Sequence, residues 1–233
     1  MVAVRWFTGF LDSPSPASDS FWCAVTGSVL SEWRDGGRFA TLVPAGGDPF
    51  LRVQVIDAGP PSCHLDLHVD DVRAAARELA GFVVADRGSL VVCRSPAGLP
   101  FCLVPAADSY VRPGPVDGAL VDQMCLDVPR PVFDREAAFW AGLISSEVRE
   151  TDLPEFARLR PGAGLALRLL LQRTGGPAAG MHLDFAAVDV AATVERQVGL
   201  GASVVRVVPG QWTTLRDPAG REYCVTARPP VLS

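Results

Sequence analysis

Two histidines stand in the same short pattern at two places in the chain. His64 begins His-Leu-Asp within residues 63–72, and His182 begins His-Leu-Asp within residues 181–190, an offset of 182 − 64 = 118 residues. Histidine is the side chain whose unperturbed pKa lies nearest neutral pH, so these two can act as a general base or as a ligand contact. The chain contains no lysine, which excludes Schiff-base chemistry on a side chain.

The elements around each motif must position the histidine. In both copies the alternation puts the histidine and the aspartate of the motif on one strand face and the leucines of the first copy on the other. A helix is predicted directly afterwards, over 70–79 and 189–198, with Asp70 or Asp71 placed to cap the first. The apolar strand face is expected to meet the helix, so we expect function on the opposite face.

Other pairs repeat at similar offsets and indicate a duplicated domain. Phe21-Trp22 returns as Phe139-Trp140, and Ser-Pro-Ala-Gly at 95–98 returns as Asp-Pro-Ala-Gly at 217–220. In each half the predicted order of elements is strand, helix and three strands, and this order occurs twice. It favours an α+β fold with mixed sheets over a doubly wound parallel sheet. We therefore predict two tandem domains of two βαβββ modules each, over residues 1–106 and 119–233, joined by a linker over 107–118 that contains Pro and Gly.

The first module gives the pattern in detail. Its predicted elements are a strand over 2–11, a helix over 19–27, and strands over 32–34, 39–43 and 50–56. Trp6, Trp33 and Trp212 are all expected on strands.

Composition limits the classes of function. A hydrophobic content of 48% with 20% charged residues is enough for packed cores and excludes a mainly disordered chain. The net charge of −5 is spread without basic clusters, which argues against nucleic acid as a partner. No apolar run approaches the roughly 20 residues that span a bilayer. The six cysteines form no CxxC pair, so we expect free thiols in a reducing compartment and a cytoplasmic protein.

The His-Leu-Asp motifs, together with the run Trp-Thr-Thr-Leu-Arg-Asp-Pro-Ala-Gly-Arg-Glu-Tyr-Cys at 212–224, carry a resemblance. They resemble the vicinal oxygen chelate superfamily, which includes glyoxalase I, extradiol dioxygenases, fosfomycin resistance enzymes and bleomycin-binding proteins. The resemblance covers nearly the whole chain and is closest to the glyoxalase-like branch. It implies that paired βαβββ modules curl into a cup that holds the ligand.

The resemblance also implies a set of site positions, on the first and last strands of each module. In the first half they are Thr8, Gln54, His64 and Cys102, and in the second half Gln123, Gln172, His182 and Cys224. The glutamates that the family carries on its last strands are absent from both sets. Hard divalent ions prefer anionic oxygen ligands, so the expectation is two metal-free cups without a cofactor.

Each candidate side chain has a structural alternative. His64 and His182 can be strand histidines hydrogen-bonded inside a sheet, and Cys102 and Cys224 can be small buried apolar residues. The resemblance would bring each of these cysteines near the histidine of its own half, where a thiol can be deprotonated and nucleophilic. His182 and Cys224 are therefore the candidate catalytic pair, although the sequence names no third orienting group.

Arginine and tryptophan supply further candidates for ligand binding. Arg52 shares a strand face with Gln54, and Arg168 shares one with Gln172, so both can pair with an anionic ligand or else reach solvent. Trp33 and Trp212 can form the floor of a pocket or pack in the core. His68, which has no partner in the second copy, is expected at the surface or as a local feature of the first cup.

These observations leave three functions open. The first is a binding module that captures a small, largely apolar or aromatic molecule in a metal-free cup, as a sequestration or resistance protein would. The second is a metal-independent lyase or isomerase that uses His182 and Cys224, and the third is a metal-dependent enzyme of glyoxalase or dioxygenase type. We expect a monomer or homodimer, no membrane contact, and the second cup as the functional one because it keeps four polar site positions and Trp212.

Overall fold

The computed structural model of the chain describes residues 2–159 and 164–230. The first half holds two helices, α1 (Asp19–Thr26) and α2 (Val72–Glu78). Its strands are β1 (Val4–Ser13), β2 (Ser28–Leu30), β3 (Phe39–Pro44), β4 (Leu51–Val55), β5 (Ser62–Val69), β6 (Val83–Asp86), β7 (Val91–Arg94) and β8 (Pro100–Pro105).

The second half repeats this order. It holds α3 (Phe133–Leu143) and α4 (Val190–Gly199). Its strands are β9 (Ala119–Pro129), β10 (Val148–Glu150), β11 (Phe156–Leu159), β12 (Arg168–Thr174), β13 (Gly180–Ala187), β14 (Ser203–Val208), β15 (Trp212–Arg216) and β16 (Glu222–Ala227).

The strands form two eight-stranded mixed sheets with matching topology. The first has the order β2-β3-β4-β1-β5-β8-β7-β6, and the second β10-β11-β12-β9-β13-β16-β15-β14. The central pairs β1 with β4, β5 with β8 and β13 with β16 are parallel, whereas the outer hairpin pairs are antiparallel. The predicted α+β fold of four βαβββ modules is confirmed.

The chain divides into two compact units, and each unit takes most of one module from each half of the sequence. Unit one comprises Met1–Thr8, His64–Tyr110 and Met124–Met181, and unit two comprises Gly9–Cys63, Val111–Gln123 and His182–Ser233. The two sheets follow the two sequence halves, whereas the compact units do not. The predicted domain limits, 1–106 and 119–233 with a linker between them, stay a prediction.

In unit one the helix α3 packs its aromatic side chains on β8. The ring of Phe101 lies 5.9 Å from Phe139 and 5.3 Å from Trp140, measured between centroids. Trp140 is fully buried, and its Nε1 donates to Oε1 of buried Glu136 at 2.7 Å. The other oxygen of Glu136 accepts from the backbone N–H of Ala97 at 2.7 Å. A buried indole therefore keeps a hydrogen-bond partner, as such groups require.

In unit two the helix α1 makes the corresponding contacts on β13 and β16. Trp22 stacks on Phe185 with centroids 6.0 Å apart and meets Tyr223 edge-on at 5.3 Å. Its Nε1 donates to Oδ2 of Asp217 at 2.8 Å. The duplicated Phe-Trp pairs are thus the anchors by which α1 and α3 bury their apolar faces.

The His-Leu-Asp strands and their helices follow the predicted pattern. Leu65 and Leu67 of β5 are fully buried, and Leu183 of β13 is as well. The N-terminus of α2 is capped by Asp71, whose side chain accepts from Ala74 N, and α4 is capped in the same way by Asp189. Side-chain acceptors of this kind satisfy amide groups that have no intrahelical partner.

One predicted strand is wrong. Residues 32–34 do not form a strand, and β2 lies earlier, at Ser28–Leu30. Asp35, Gly36 and Gly37 all adopt positive φ, so the chain turns tightly just before β3 instead of extending into it. Trp33 consequently lies outside the strands, although Trp6 and Trp212 lie on β1 and β15 as expected.

Segments within the predicted linker are held within their own units. In unit one the ring of Tyr110 stacks on Trp6 at 4.7 Å. In unit two the backbone N–H of Val111 donates to Oδ2 of Asp48 at 2.6 Å, and a Cβ at Gly47 would stand 2.7 Å from the backbone nitrogen of Pro113. Glycine at position 47 permits this close backbone approach. Among the described helices, none is long and apolar enough to span a membrane.

Candidate functional site

The second half carries a buried cluster of imidazole, carboxylate and thiol in unit two. The parallel strands β13 and β16 place Asp184 directly opposite Cys224, and His182 lies on the same face two residues earlier. One donor atom from each of the three residues lies within 4.8 Å of the other two. We call this set the second cluster.

Hydrogen bonds fix the carboxylate of the second cluster. Nε2 of Gln123, on β9, donates to Oδ2 of Asp184 at 2.6 Å. Oδ1 of Asp184 lies 2.9 Å from Nδ1 of His182, and the two side chains are only 3% and 16% exposed. Gln123 therefore orients the carboxylate, while the carboxylate's other oxygen faces the imidazole.

The strand β15 supplies the next contacts of the second cluster. Thr214 pairs with Cys224 across the sheet, and its Oγ1 lies 3.4 Å from Sγ in a hydrogen bond. Trp212 lies two residues earlier and so shares the face of Thr214. The guanidinium of Arg206 stands 5.7 Å from the centre of the indole ring of Trp212. Trp212 therefore stands on the strand face that presents Thr214 to Cys224, and its predicted role as an aromatic wall stays a prediction.

The first half repeats the donor set in unit one. The parallel strands β5 and β8 place Asp66 opposite Cys102, which is the register of the second cluster. His64, Asp66 and Cys102 again bring one donor atom each within 4.8 Å of the others. Nε2 of His64 lies 3.8 Å from Oδ1 of Asp66, with side chains 13% and 7% exposed. We call this set the first cluster.

The surroundings of the first cluster differ from those of the second. Val92, not a threonine, stands opposite Cys102 on β7. Thr8 hydrogen-bonds Nε2 of His68 at 2.9 Å, and the hydroxyl of Tyr110 bonds the other ring nitrogen at 2.9 Å. His68 is 9% exposed, so the surface alternative for it is wrong and it is a local feature of unit one.

The other predicted site residues are distributed between the units. In unit one, Arg168 and Gln172 lie on β12, and Oε1 of Gln172 lies 4.0 Å from Sγ of Cys125. In unit two, Arg52 and Gln54 lie on β4, with the guanidinium of Arg52 5.8 Å from the ring of Phe10.

Trp33 belongs to a different part of unit two. It lines an open cleft of about 1080 Å³ beside α1, together with Asp19 and Cys23. Burial raises the pKa of the Asp19 carboxyl to about 6, although the positive charge of Arg221 opposes the shift.

Sequence reasoning missed the two aspartates as members of the site. Asp66 and Asp184 were placed on the histidine face, but the expectation of metal-free cups counted no carboxylate in either set. The structure corrects that premise, because each aspartate stands beside its histidine and opposite its cysteine. The signal was the alternation within His-Leu-Asp, which puts both polar residues on one face.

The three donor types of the second cluster can be compared with the ligands that divalent metal ions prefer. Imidazole nitrogen, carboxylate oxygen and thiolate sulfur are all donors that Zn²⁺ accepts, and catalytic zinc sites use three protein ligands with one open position. The thiol fits an ion such as Mg²⁺ poorly, because hard ions prefer oxygen. The second cluster therefore fits a thiophilic divalent ion.

Two further cysteines, Cys63 and Cys93, are buried in the core. Burial raises the pKa of Cys63 to about 11, and burial likewise raises the pKa of Cys93 to about 11. A thiol that stays protonated is a poor nucleophile and a poor metal ligand. Neither Cys63 nor Cys93 belongs to the donor set of the first or the second cluster.

Comparisons with known proteins agree with this fold. A model of the glyoxalase-like domain matches residues 10–104 and again residues 123–226. The chain therefore belongs to the glyoxalase-like family, as a tandem member of the vicinal oxygen chelate superfamily. A search of curated protein sequences found no match.

Solved structures with the same fold include dioxygenases and a glyoxalase. A catechol 2,3-dioxygenase superimposes with a TM-score of 0.65 at 13% identity, covering 100% of this chain and 91% of that one. An Mn(II)-bound glyoxalase from Novosphingobium aromaticivorans gives 0.65 at 15% identity, covering 97% and 83%. An extradiol ring-cleaving dioxygenase from B. fuscum gives 0.68 at 13% identity, covering 98% and 73%. These identities establish a shared fold and no shared reaction.

Proposed function

We propose that the protein binds a small, largely apolar or aromatic molecule at the second cluster. The observation that carries this proposal is the placement of Trp212 on the strand face that also presents Thr214 to Cys224. A flat ligand stacked on the indole can reach the buried polar groups of His182 and Asp184 with its own polar atoms. Binding sites of this kind combine an apolar surface with a few fixed polar groups.

The second half supports this role better than the first. Gln123 and Thr214 hold the carboxylate and the thiol of the second cluster by hydrogen bonds. Donors fixed in advance lose less conformational freedom when a ligand binds, which favours affinity. In the first half, Thr8 is committed to His68 instead.

A panel of small phenols and aromatic acids tests the proposal. Catechol is its first member, because one structural neighbour is named a catechol 2,3-dioxygenase. The compound that raises the melting temperature most is then titrated against wild type, His182→Ala, Trp212→Ala and the control His64→Ala. Each lost contact is worth about 1–3 kcal/mol, so the first two variants are expected to bind roughly tenfold more weakly or worse.

The outcomes of this titration separate clearly. The control His64→Ala is expected to bind as wild type does. Equal losses in His64→Ala and His182→Ala would contradict the choice of the second cluster. A panel in which no compound stabilises the protein would contradict the ligand class.

A second candidate function is a metal-dependent enzyme of glyoxalase or dioxygenase type. The observation that favours it is Asp184, which adds the carboxylate whose absence argued for a metal-free cup. A bound divalent ion would supply Lewis-acid polarisation of a ligand oxygen. His182, Asp184 and Cys224 would hold it, with Gln123 orienting Asp184.

Elemental analysis of the purified protein decides between a metal-free and a metal-dependent site. About one zinc per second cluster, lost in Asp184→Asn, would support the second candidate and contradict the expectation of a metal-free cup. A protein without stoichiometric metal, whose melting temperature does not respond to added Zn²⁺, would favour binding or conversion through His182 and Cys224 alone.

A further inference from the structure

The two halves of the chain hold the same three donors in the same register. Asp66 faces Cys102 across β5 and β8 as Asp184 faces Cys224 across β13 and β16, and each histidine precedes its aspartate by two residues. We infer that the protein carries two equivalent sites for a thiophilic divalent cation of zinc type, one in each repeat. His64, Asp66 and Cys102 form the site of the first repeat, in unit one.

This inference rests on the fit of the second cluster to such an ion and adds a site in the first half. The ranking from the sequence, by contrast, made the first cup the poorer one because Thr8 is short. Thr8 has no part in the donor set of the first cluster, since it bonds His68. The three donors come entirely from β5 and β8, whose parallel pairing places Asp66 opposite Cys102.

Charge balance favours a divalent ion over an anion or a neutral ligand. Each cluster offers one carboxylate and one cysteine that binds as thiolate, so two negative charges neutralise the two positive charges of the ion. The imidazole adds a neutral donor. A neutral complex suits a buried position, where an isolated charge is costly. Asp66 and Asp184 are 5% and 2% exposed.

The distances are compatible with direct ligation. Bonds of about 2.0–2.3 Å to nitrogen, oxygen and sulfur in a tetrahedral arrangement separate the donors by roughly 3.3–3.8 Å. The donor atoms of both clusters already lie within 4.8 Å of one another. Adjustments of about 1 Å, within the range of side-chain rotation, complete the site.

Binding must release protons, because the cysteine exchanges its proton for the metal: Cys-SH and M²⁺ give Cys-S–M⁺ and H⁺. Each site therefore releases up to one proton from its thiol, and its affinity falls as the pH is lowered. Two sites release twice as many protons as one.

Titration of the reduced, chelator-treated full chain with Co²⁺ tests the inference, because thiolate-to-cobalt charge transfer absorbs in the near ultraviolet. Wild type is expected to bind two equivalents, which Zn²⁺ displaces. Cys102→Ser and Cys224→Ser are each expected to bind one equivalent, and the double variant none. The control Cys23→Ser, whose cysteine lies in α1 and in neither cluster, keeps two equivalents.

The isosteric variants Asp66→Asn and Asp184→Asn provide a second test that does not alter a thiol. Each should lower the metal affinity of one site by more than about 10- to 100-fold, which is the loss expected when a residue that only orients a metal ligand is removed. Circular dichroism of each variant confirms folding.

A single equivalent that only Cys224→Ser removes would overturn this inference and leave the second cluster intact. No cobalt binding, or two equivalents that survive Cys102→Ser, would overturn it as well. The aromatic titration of Trp212→Ala, which removes no donor of either cluster, tests the proposed small-molecule binding separately, so failure of one proposal does not imply failure of the other.

Discussion

The first and second clusters share their donors and differ in what surrounds them. In the second, Gln123 holds Asp184 and Thr214 bonds Cys224. In the first, Val92 replaces the threonine opposite the cysteine, and Thr8 is used by His68. The comparison shows that the duplication has kept the groups that can ligate an ion and changed the groups that orient them.

The turns before β8 and β16 differ in a related way. Residues 95–98 and 217–220 share Pro-Ala-Gly, and Gly98 and Gly220 both adopt positive φ. In unit two, Asp217 of the turn itself accepts from Trp22 and Arg221. In unit one the carboxylate comes instead from the helix, as Glu136. In both units a buried carboxylate accepts a hydrogen bond from a tryptophan indole. The carboxylate belongs to the turn in unit two and to the helix in unit one.

The largest expected difference between the halves is the cost of truncating the first residue of each turn. Asp217→Ala leaves the guanidinium of Arg221, 3% exposed and bonded to Asp217 at 2.6 Å, without its ionic partner. An uncompensated buried charge destabilises a protein by about 3–5 kcal/mol. Ser95→Ala removes one hydrogen bond, to Leu99 N, and should cost about 1 kcal/mol. Urea unfolding of the two variants measures both costs, and equal costs would contradict the comparison.

The next difference concerns how stability depends on pH, through the aspartates in the first turns of α1 and α3. Asp19 is 9% exposed and its pKa is raised from 3.8 to about 6, chiefly by burial. A raised carboxyl pKa means that the folded state holds the proton more tightly. Stability therefore falls as pH rises from about 4 to about 6, by roughly 3 kcal/mol. Asp19→Asn should remove this loss and be more stable than wild type at pH 7.

The first turn of α3 provides the control. Asp134 is exposed, so Asp134→Asn should keep the wild-type dependence on pH between 4 and 7. Urea denaturation at both pH values distinguishes the two variants. If Asp19→Asn gains no stability at pH 7, the buried carboxylate does not titrate as described.

A smaller effect is expected from the amide that orients Asp184. Gln123→Leu removes the 2.6 Å hydrogen bond without touching a donor atom of either cluster. Loss of an outer partner typically lowers metal affinity about 10- to 100-fold. Zinc titration in a Cys102→Ser background isolates the second cluster and measures this loss. An unchanged affinity would show that Gln123 does not orient the carboxylate.

The smallest effect is expected from making the second cluster resemble the first. Thr214→Val reproduces the residue that faces Cys102, namely Val92. It removes one hydrogen bond to the thiol, worth about 1 kcal/mol, so the affinity for Zn²⁺ should fall less than tenfold. The reciprocal variant Val92→Thr should strengthen the first cluster by a similar factor. A rise in affinity in Thr214→Val, or a fall in affinity in Val92→Thr, would contradict this role of the threonine.

Much of the fold could be predicted from the sequence, because the repeats and the alternation in His-Leu-Asp are local patterns. The pairing of Phe-Trp helices with strands of the other half could not be predicted, since it depends on tertiary packing between residues such as Trp22 and Tyr223. Trp33 was wrongly assigned to a strand. The strand before β3 ends earlier, at Leu30, and the chain then turns tightly at 35–37, where all three residues adopt positive φ.

The site was predicted in part. His64 with Cys102, and His182 with Cys224, lie together as the resemblance implied. The aspartates were not recognised as donors because the family's ligand positions, rather than the strand face, guided the choice. That Gln123 bonds Asp184 depends on rotamers that no spacing in the sequence specifies.

The most direct test of the two equivalent clusters is an anomalous difference map at the zinc edge, from crystals grown with Zn²⁺. Our account predicts two peaks, one within about 2.5 Å of Sγ of Cys102 and the other within the same distance of Sγ of Cys224. A peak at only one cysteine, or at neither, would contradict it.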